Sequence, residues 1–277
     1  MISIVGIHGV GHLDREHPAS NVVAGMSALW ASSLAQGLGN SPDALKVTCA
    51  YYAPFLAPAA IHQGDGLLNS LPKDAQDMFL DWIGELGAPP AISQGRLGTP
   101  LRQAADWVQE HFPWFTDAMI TIFFREVAAY LHTPEGGQRV AAREEVAQTI
   151  RDQRPQVVIG HSLGTVVAYE ALWAHPELPV EVFITLGSPL GMSHVVFPRL
   201  VPPPENGRGD RPPGVRRWIN VADHGDPVAV PPGLRSRFSG VELDLKDSIA
   251  LVSIHSSLAY LRSPPVAATL APYVTGE

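Results

Sequence analysis

The sequence predicts an α/β fold built on a doubly wound, mostly parallel sheet of about six strands. Short apolar runs recur along the chain, and stretches with helical spacing lie between several of them. One of these runs leads directly into a turn flanked by glycines and then into a helix-like stretch. Strands that alternate with helices form a parallel sheet, because each parallel crossover needs a long connection that packs on a sheet face.

The strands are predicted from apolar runs that turn residues interrupt. The first covers residues 2–7 and ends in the loop His8-Gly9-Val10-Gly11-His12. A helix over residues 20–36 follows, because large apolar residues recur there at helical spacing and Gly37 and Gly39 provide a stop. The remaining strands are predicted at residues 45–52, 157–161, 180–186, 215–222 and 241–245.

The chain reads as a single domain, residues 1–277, with a helical insertion at residues 53–133. Three helices rich in large apolar side chains are predicted in the insertion, near residues 73–86, 100–111 and 114–132. They could cover one sheet face as ordinary crossover helices do. Because the insertion is too long for one crossover, we favour a cap or lid that covers a substrate site. The aromatic content of the insertion suggests an apolar group on the substrate.

A second irregular segment, residues 197–214, holds six prolines and lacks any periodicity. We predict an extended surface loop there, since proline clusters interrupt regular structure. The loop connects two strands on the side where a substrate would enter. A gating flap and a mobile spacer are both compatible with this pattern.

Composition limits the class of protein and of partner. Apolar residues make up 45% of the 277 residues and charged residues 17%, which is typical of a globular enzyme. The net charge of −8, without a basic stripe, argues against a nucleic-acid partner.

No run reaches the ~18 apolar residues of a transmembrane helix. The N-terminus lacks a basic signal region, so a cytoplasmic location is expected; the oligomeric state stays open.

The single cysteine, Cys49, excludes an intrachain disulfide. It lies in a predicted strand, where a buried and inert thiol is expected.

The glycine-flanked turn is the most informative feature of the chain. The apolar run at residues 157–159 precedes Gly160-His161-Ser162-Leu163-Gly164, and a helix-like stretch follows at residues 165–172. In a tight strand–turn–helix element, glycine at both flanking positions relieves crowding, and the Ser162 hydroxyl is exposed at the end of a strand. The Leu163 N–H opens the helix, so it can stabilise negative charge on a substrate oxygen. His161 is expected to point away from the hydroxyl and to support the turn by packing.

Together the motifs resemble those of the α/β-hydrolase superfamily, and in particular its lipase and esterase branch. The matching segments lie in the expected order along nearly the whole chain: His8-Gly9-Val10-Gly11, Gly160-His161-Ser162-Leu163-Gly164, Thr185-Leu186-Gly187-Ser188-Pro189, Asp226-Pro227-Val228 and His255. The resemblance implies a sheet whose first strand, residues 2–7, leads directly into the loop His8-Gly9-Val10-Gly11, which carries an oxyanion donor in this family. The simplest lipases lack such an inserted cap, so the shape of their substrate pocket does not predict the pocket of this chain.

The resemblance implies a catalytic triad in the chain order serine, acid, histidine. It favours Asp226 as the acid, with Asp223 as the alternative, and His255 as the base, since no other histidine follows Asp226. His224 precedes Asp226 and breaks that order. The second oxyanion donor is expected from the loop after the first strand, where Val10 N–H is favoured and His8 and Gly9 support it.

A metal at His8 and His12 is disfavoured, because neither clustered carboxylates nor an H-E-x-x-H helix accompanies them, and no cofactor is expected. The expected activity is hydrolysis of a carboxylic ester or thioester of a small-molecule or acyl substrate. An acyltransferase, a cyclase or a peptide hydrolase would use the same triad. A non-catalytic binding protein with this fold is the alternative from another class.

Overall fold

The computed structural model describes residues 2–57, 68–93, 100–249 and 255–275. Its strands form one open six-stranded sheet in the order β2-β1-β3-β4-β5-β6, and every neighbouring pair is parallel. The predicted fold class is therefore confirmed. The strands are β1 Ile2–Ile7, β2 Leu45–Ala50, β3 Val157–His161, β4 Val180–Leu186, β5 Val215–Asp223 and β6 Val241–Asp247.

The helices of the described residues lie between and after these strands. The first ends at Gly39, whose φ of 66° is the left-handed conformation that favours glycine at a helix C-terminus. The α-helices are α1 Ala19–Leu38, α2 Lys73–Glu85, α3 Pro90–Ser93, α4 Pro100–His111, α5 Asp117–Leu131, α6 Gly137–Gln153, α7 Leu163–Ala174, α8 Ser257–Arg262 and α9 Pro264–Thr275.

Helix α6 was not predicted, and its burial pattern explains why. A helix on a sheet face is usually recognised by an apolar stripe with charged residues turned to water. Helix α6 instead buries the side chains of Arg139 and Arg143 along with its apolar residues. The charged residues therefore interrupt the stripe in the sequence, although they lie inside the fold.

The two faces of the sheet carry separate apolar cores. On one face, Trp30 and Leu34 of α1 belong to the same buried cluster as Ile159 of β3 and Leu261 of α8. The other face is covered by α6, α7 and the insertion, whose buried residues form a second cluster. Both faces are closed, as expected for central strands such as β3 and β4, which are buried along almost their whole length.

The strand order places a crevice between β1 and β3. From β1 the chain runs outward to β2 through α1, then returns past β1 to β3 through the insertion and α6 on the other face. Connections that leave neighbouring parallel strands in opposite directions open a gap at the carboxyl ends, where open α/β sheets bind ligands. His8 follows β1 and Ser162 follows β3, so both lie at this gap.

The predicted insertion, residues 53–133, is helical in its described parts; residues 58–67 and 94–99 lie outside them. Five of its aromatic rings pack on one another with centroids 5.0 to 6.2 Å apart and are almost fully buried: Phe79, Trp82, Phe115, Phe123 and Phe124. These five rings therefore form the insertion's own core. They give no support to an apolar substrate, contrary to the argument drawn from the sequence.

The insertion reaches three loops at the carboxyl edge of the sheet. Trp82 Nε1 donates a hydrogen bond of 2.8 Å to the Pro227 carbonyl, beyond β5. Glu85 accepts the N–H groups of Ser193 and His194, beyond β4. Glu126 accepts the N–H of Gly11, beyond β1. The helices thus lie on the edge where Ser162 is found, and their action as a cap stays a prediction.

The proline-rich segment 197–214 is irregular, as predicted, but it is fastened to α7. The Val201 N–H donates to Glu170 at 3.1 Å, and Tyr169 Oη donates to the Asp210 carbonyl at 3.0 Å. Phe197 and Leu200 are buried. These contacts favour neither a gating flap nor a free spacer.

Two further expectations concern the thiol and the membrane. Cys49 is buried in β2, and burial raises the pKa of its thiol to about 12, so it stays protonated and unreactive. Within the described part of the chain, no helix combines the length and apolar composition that a membrane crossing requires.

A buried ion pair joins α6 to α7. Arg139 and Glu170 are 1% and 0% exposed, and Glu170 also accepts hydrogen bonds from Tyr130 Oη at 2.7 Å and from the Val201 N–H. Removing one partner of such a pair leaves an uncompensated buried charge.

Glu170→Ala should therefore lower the free energy of unfolding by about 3–5 kcal/mol, measured by urea denaturation. The control is Glu181→Ala, which removes the partner of the exposed Arg216 and should cost about 0–1 kcal/mol. Equal losses in the two variants would contradict the buried-charge argument.

Candidate active site

Ser162 has the backbone conformation of a strained turn. Its φ of 53° and ψ of −130° lie where residues other than glycine are rarely found. A residue held there costs on the order of 1–3 kcal/mol. Ser162 occupies the N-cap of α7, yet its hydroxyl does not cap the helix as an N-cap serine usually does. The hydroxyl is thus left available for other chemistry.

Three glycines bring the backbone close around Ser162. A Cβ at Gly160 would lie 2.9 Å from Thr165 Cα, and a Cβ at Gly164 would lie 2.3 Å from the His8 carbonyl oxygen. Both contacts are shorter than real Cβ atoms make, which bears out the crowding predicted at these positions. A Cβ at Gly9 would lie 2.9 Å from Ser162 Cβ. The loop after β1 therefore passes directly beside the serine.

Hydrogen bonds hold the turn in place. The Ser162 N–H donates to the Leu186 carbonyl of β4 at 3.0 Å. The Ser162 carbonyl accepts from the N–H of Thr165 at 2.9 Å and from its hydroxyl at 2.8 Å. Because the Thr165 proton is used in that bond, Ser188 Oγ donates to Thr165 Oγ1 across 2.7 Å. These contacts stabilise the conformation of Ser162 from both neighbouring segments.

His255 and Asp226 form the second part of the site. His255 Nδ1 lies 2.7 Å from Asp226 Oδ2, and both side chains are largely buried. Since the carboxylate only accepts, Nδ1 carries a proton, and in the neutral ring this leaves the lone pair on Nε2. Among the described residues, neither His255 Nε2 nor Ser162 Oγ has a hydrogen-bond partner. A buried base and a buried hydroxyl are thus both unsatisfied at one cavity.

The structure distinguishes the two candidate carboxylates. Asp226 contacts His255, and its other oxygen accepts the Val228 N–H at 2.9 Å. Asp223 accepts the N–H groups of Gly225 at 2.8 Å and Ile249 at 2.5 Å, so it fixes the loop after β5. His224 is exposed and lies outside the cavity.

Tyr260 links the two aspartates. Its hydroxyl accepts the Asp223 N–H at 2.8 Å and donates to Asp226 Oδ2 at 2.7 Å, the same oxygen that His255 contacts. The hydroxyl is buried, so both bonds are shielded from water. Tyr260 therefore fixes the carboxylate that orients the imidazole.

Gly187 permits the approach of Asp226 and His255. It follows β4 with a φ of 52°, and a Cβ there would lie 2.8 Å from Asp226 Oδ2 and 3.1 Å from the His255 ring. Any side chain at this position would push the two groups apart. Glycine is thus required both by the backbone angle and by the space.

The loop after β1 is held by His8 and Tyr52. The Tyr52 hydroxyl donates to the His8 carbonyl at 2.8 Å, and the two rings stack with centroids 4.3 Å apart. Burial, together with a smaller effect of the nearby His12, lowers the pKa of His8 to about 3, so the ring is neutral. Its Nδ1 donates to the Gly9 carbonyl at 2.7 Å, since a carbonyl can only accept.

This contact sets the direction of the Val10 N–H. The Gly9 carbonyl and the Val10 N–H belong to one planar trans peptide, so they point in opposite directions. Because His8 fixes the carbonyl, the Val10 N–H is directed away from His8. Gly9 and Val10 line the same cavity as Ser162. The Leu163 N–H begins α7, where no partner within the helix exists for it.

His161 packs against the histidine of the site. Its ring centroid lies 4.7 Å from that of His255, and it lines the cavity with Ser162. Burial lowers the pKa of His161 well below its usual value, with the neighbouring His255 and His12 adding to the effect. The ring therefore lies at the cavity of Ser162 and not away from it as expected from the sequence, and its role as a packing group stays a prediction.

The cavity beside Ser162 has a volume of about 390 Å³. Its walls are mostly apolar and come from α1, α5, α8 and the two loops already described: Gly9, Val10, His12, Met26, Leu29, Trp30, Met119, His161, Ser162, His255, Ser256, Ser257 and Leu258. No residue of the fully described segment 197–214 lines it. A larger cavity of about 820 Å³ lies near the opposite edge of the sheet, beside Pro155, Pro179 and Gly214, away from these groups.

The described residues offer no metal-binding cluster, and two comparisons with known proteins find no match. Among the described residues, no three His, Cys, Asp or Glu side chains are grouped so that they could hold a metal ion. A scan against protein-family models finds no match to the chain, and a search of curated proteins finds no similar sequence.

Several residues of the site were missed by the sequence analysis. Gly187 belongs to the motif at residues 185–189. It lies directly after a strand, where a glycine in the left-handed conformation is common. Tyr52, Glu126 and Tyr260 carry no such pattern, because one polar atom on a core side chain leaves no trace in periodicity. The cavity walls on α1 and α8 were also not predicted.

Gly187→Ala should abolish the reaction of Ser162 with a fluorophosphonate, because the methyl group separates Asp226 from His255. Intact mass spectrometry measures the adduct. Gly207→Ala is the matched control: its φ is 74°, but nothing lies within 4 Å of its Cβ position. Both variants carry the strain of a left-handed alanine, roughly 1 kcal/mol. Equal labelling of the two variants would refute the steric argument.

Proposed function

We propose that this chain is a serine hydrolase of the α/β-hydrolase superfamily that cleaves a carboxylic ester or thioester. The observation that carries the proposal is the convergence of a strained Ser162 and a bonded Asp226–His255 pair on one cavity. A serine held at φ 53° without a capping role and an imidazole with an unpaired nitrogen line the same cavity, so the nucleophile and the base are both present, although they are not hydrogen-bonded to each other.

In the first half-reaction, Ser162 Oγ attacks the carbonyl carbon and His255 Nε2 takes the hydroxyl proton. Asp226 holds the imidazole in the required tautomer and stabilises the imidazolium that forms. The carbonyl oxygen becomes an oxyanion, for which the Val10 and Leu163 N–H groups are the proposed donors. The intermediate collapses as His255 returns the proton to the leaving oxygen or sulfur, and the alcohol or thiol departs.

In the second half-reaction, water attacks the acyl-enzyme while His255 Nε2 takes a proton from it. The second tetrahedral intermediate uses the same two N–H donors. Its collapse releases the carboxylic acid, and the proton returns from His255 to Ser162 Oγ. The sum is ester plus water giving acid plus alcohol, with the protein unchanged.

The cavity walls support an apolar group on the substrate. Met26, Leu29 and Trp30 of α1 face it, as do Met119 of α5 and Leu258 of α8. Leu29 is 56% exposed, the highest value among the exposed large apolar residues of the described chain, so it presents apolar surface at the cavity. This lining replaces the aromatic content of the insertion as the argument for an apolar substrate.

An acyltransferase is the second candidate, and the burial of the nucleophile favours it. Ser162 is 1% exposed, so water reaches an acyl-enzyme only through the cavity. An alcohol or amine acceptor that fills the cavity would then compete with water for the acyl group. Product analysis with and without an added alcohol separates the two outcomes. A cyclase or a peptide hydrolase would share the acyl-enzyme and differ in the acceptor or leaving group.

Treatment with a fluorophosphonate should give one adduct on the wild-type protein, because Ser162 Oγ displaces fluoride from phosphorus. Ser162→Ala and His255→Ala should give none, and both should lower kcat for an activated ester by about 10³- to 10⁶-fold. His224→Ala is the matched control, since it removes an exposed histidine two residues from Asp226.

Wild-type protein without an adduct would favour a binding protein with this fold. An adduct that persists in Ser162→Ala would place the nucleophile elsewhere. Retained ester hydrolysis in that variant would exclude the mechanism.

Acyl chain length should matter. In a series of p-nitrophenyl esters from acetate to hexanoate, kcat/KM should rise by up to about fourfold per methylene, because each buried methylene contributes about 0.8 kcal/mol. Leu29→Asp should weaken this preference. Leu243→Asp, which changes another exposed leucine (39% exposed) on β6, should not. A flat series would remove the support for an apolar acyl group.

A further inference from the structure

Glu126 connects the insertion to the loop after β1. Its two carboxylate oxygens lie 3.1 and 3.2 Å from the Gly11 N, which donates to them. Ile122, one turn earlier on α5, packs beside the same glycine, since its Cγ2 lies 3.5 Å from the Cβ position of Gly11. Helix α5 thus makes a polar and an apolar contact with a single loop residue.

These contacts complete the fixation of Val10. The peptide before Val10 is oriented by His8, which donates to the Gly9 carbonyl. The peptide after Val10 carries the Gly11 N–H, which Glu126 accepts. When both flanking peptide planes are fixed, φ and ψ of Val10 are fixed as well. The loop that carries the Val10 N–H is therefore held at both ends, by His8 before Val10 and by Glu126 after it.

We propose that Glu126 is a positioning residue for the oxyanion hole, which holds the loop that carries the Val10 N–H in place from the insertion. The proposal rests on the proposed function. It means that the oxyanion hole is complete only while α5 is docked against the loop after β1. The helix that contributes Met119 to the cavity wall would then also set the geometry of the reacting centre.

Glu126 acts in this role through an acceptor oxygen and not through its charge. Burial outweighs the opposing effect of the Gly11 N–H and raises the pKa of Glu126 to about 7. Charged and neutral forms both keep an oxygen that can accept from Gly11. Glutamine offers the same oxygen at the same distance from the backbone, so it should replace glutamate. Alanine cannot.

Glu85 provides a matched control. It also lies on a helix of the insertion, and it also accepts backbone N–H groups from a loop at the carboxyl edge of the sheet, those of Ser193 and His194. That loop does not line the cavity of Ser162. Loss of Glu85 therefore removes a comparable contact without touching the oxyanion hole.

The test measures kcat and KM on an activated ester together with hydrogen exchange of the Gly11 amide. Glu126→Ala should lower kcat by about 10- to 100-fold, because misplacement of a transition-state donor acts on the chemical step. KM should stay within about threefold, since ground-state binding uses the apolar walls. Gly11 exchange should become at least about tenfold faster as its acceptor is lost.

Glu126→Gln should restore both kcat and slow exchange, and Glu85→Ala should leave both unchanged. Wild-type kcat in Glu126→Ala despite fast Gly11 exchange would overturn the proposal. Equal losses in the alanine and glutamine variants, or the same kcat loss in Glu85→Ala, would overturn it too. If the wild type neither hydrolyses esters nor reacts with a fluorophosphonate, the proposed function fails and this inference fails with it, a result distinct from the others.

Discussion

The close approach of α7 to the end of β1 is the constraint on which the site depends. A glycine at position 164 lets the first turn of the helix lie against the His8 carbonyl, where a methyl group would be only 2.3 Å away. This approach brings the loop after β1 beside Ser162. Because Ser162 must then adopt a disfavoured conformation, its neighbours on β4 and α7 supply the hydrogen bonds that hold it there.

The polar groups of the site come from four segments at one edge of the sheet. The loop after β1 carries Val10, that after β3 carries Ser162, that after β5 carries Asp226, and His255 follows β6. The loop after β4 contributes no reactive group but provides the space at Gly187 in which Asp226 and His255 meet. Parallel strands place all of these loops together, so residues far apart in the chain become neighbours.

Sequence patterns predicted the parts of the fold that follow from periodicity and turn chemistry. All six strands were located to within two residues of their ends, and Gly160 and Gly164 could be assigned because a tight turn excludes side chains. Helix α6 was missed because Arg139 is buried against Glu170, a pairing that arises only between two helices. Tyr260 and Glu126 were missed for the same reason: their partners lie 34 and 115 residues away.

The position of β1 has a consequence for synthesis. This apolar strand lies between β2 and β3 in the sheet, yet β3 follows it by about 150 residues in the chain. At translation rates of about 5–20 residues per second, that interval lasts roughly 8–30 s. During it, one edge of β1 has no strand to pair with, and such an edge can recruit other chains. The nascent polypeptide therefore exposes this edge of β1 until the strand before Ser162 leaves the ribosome.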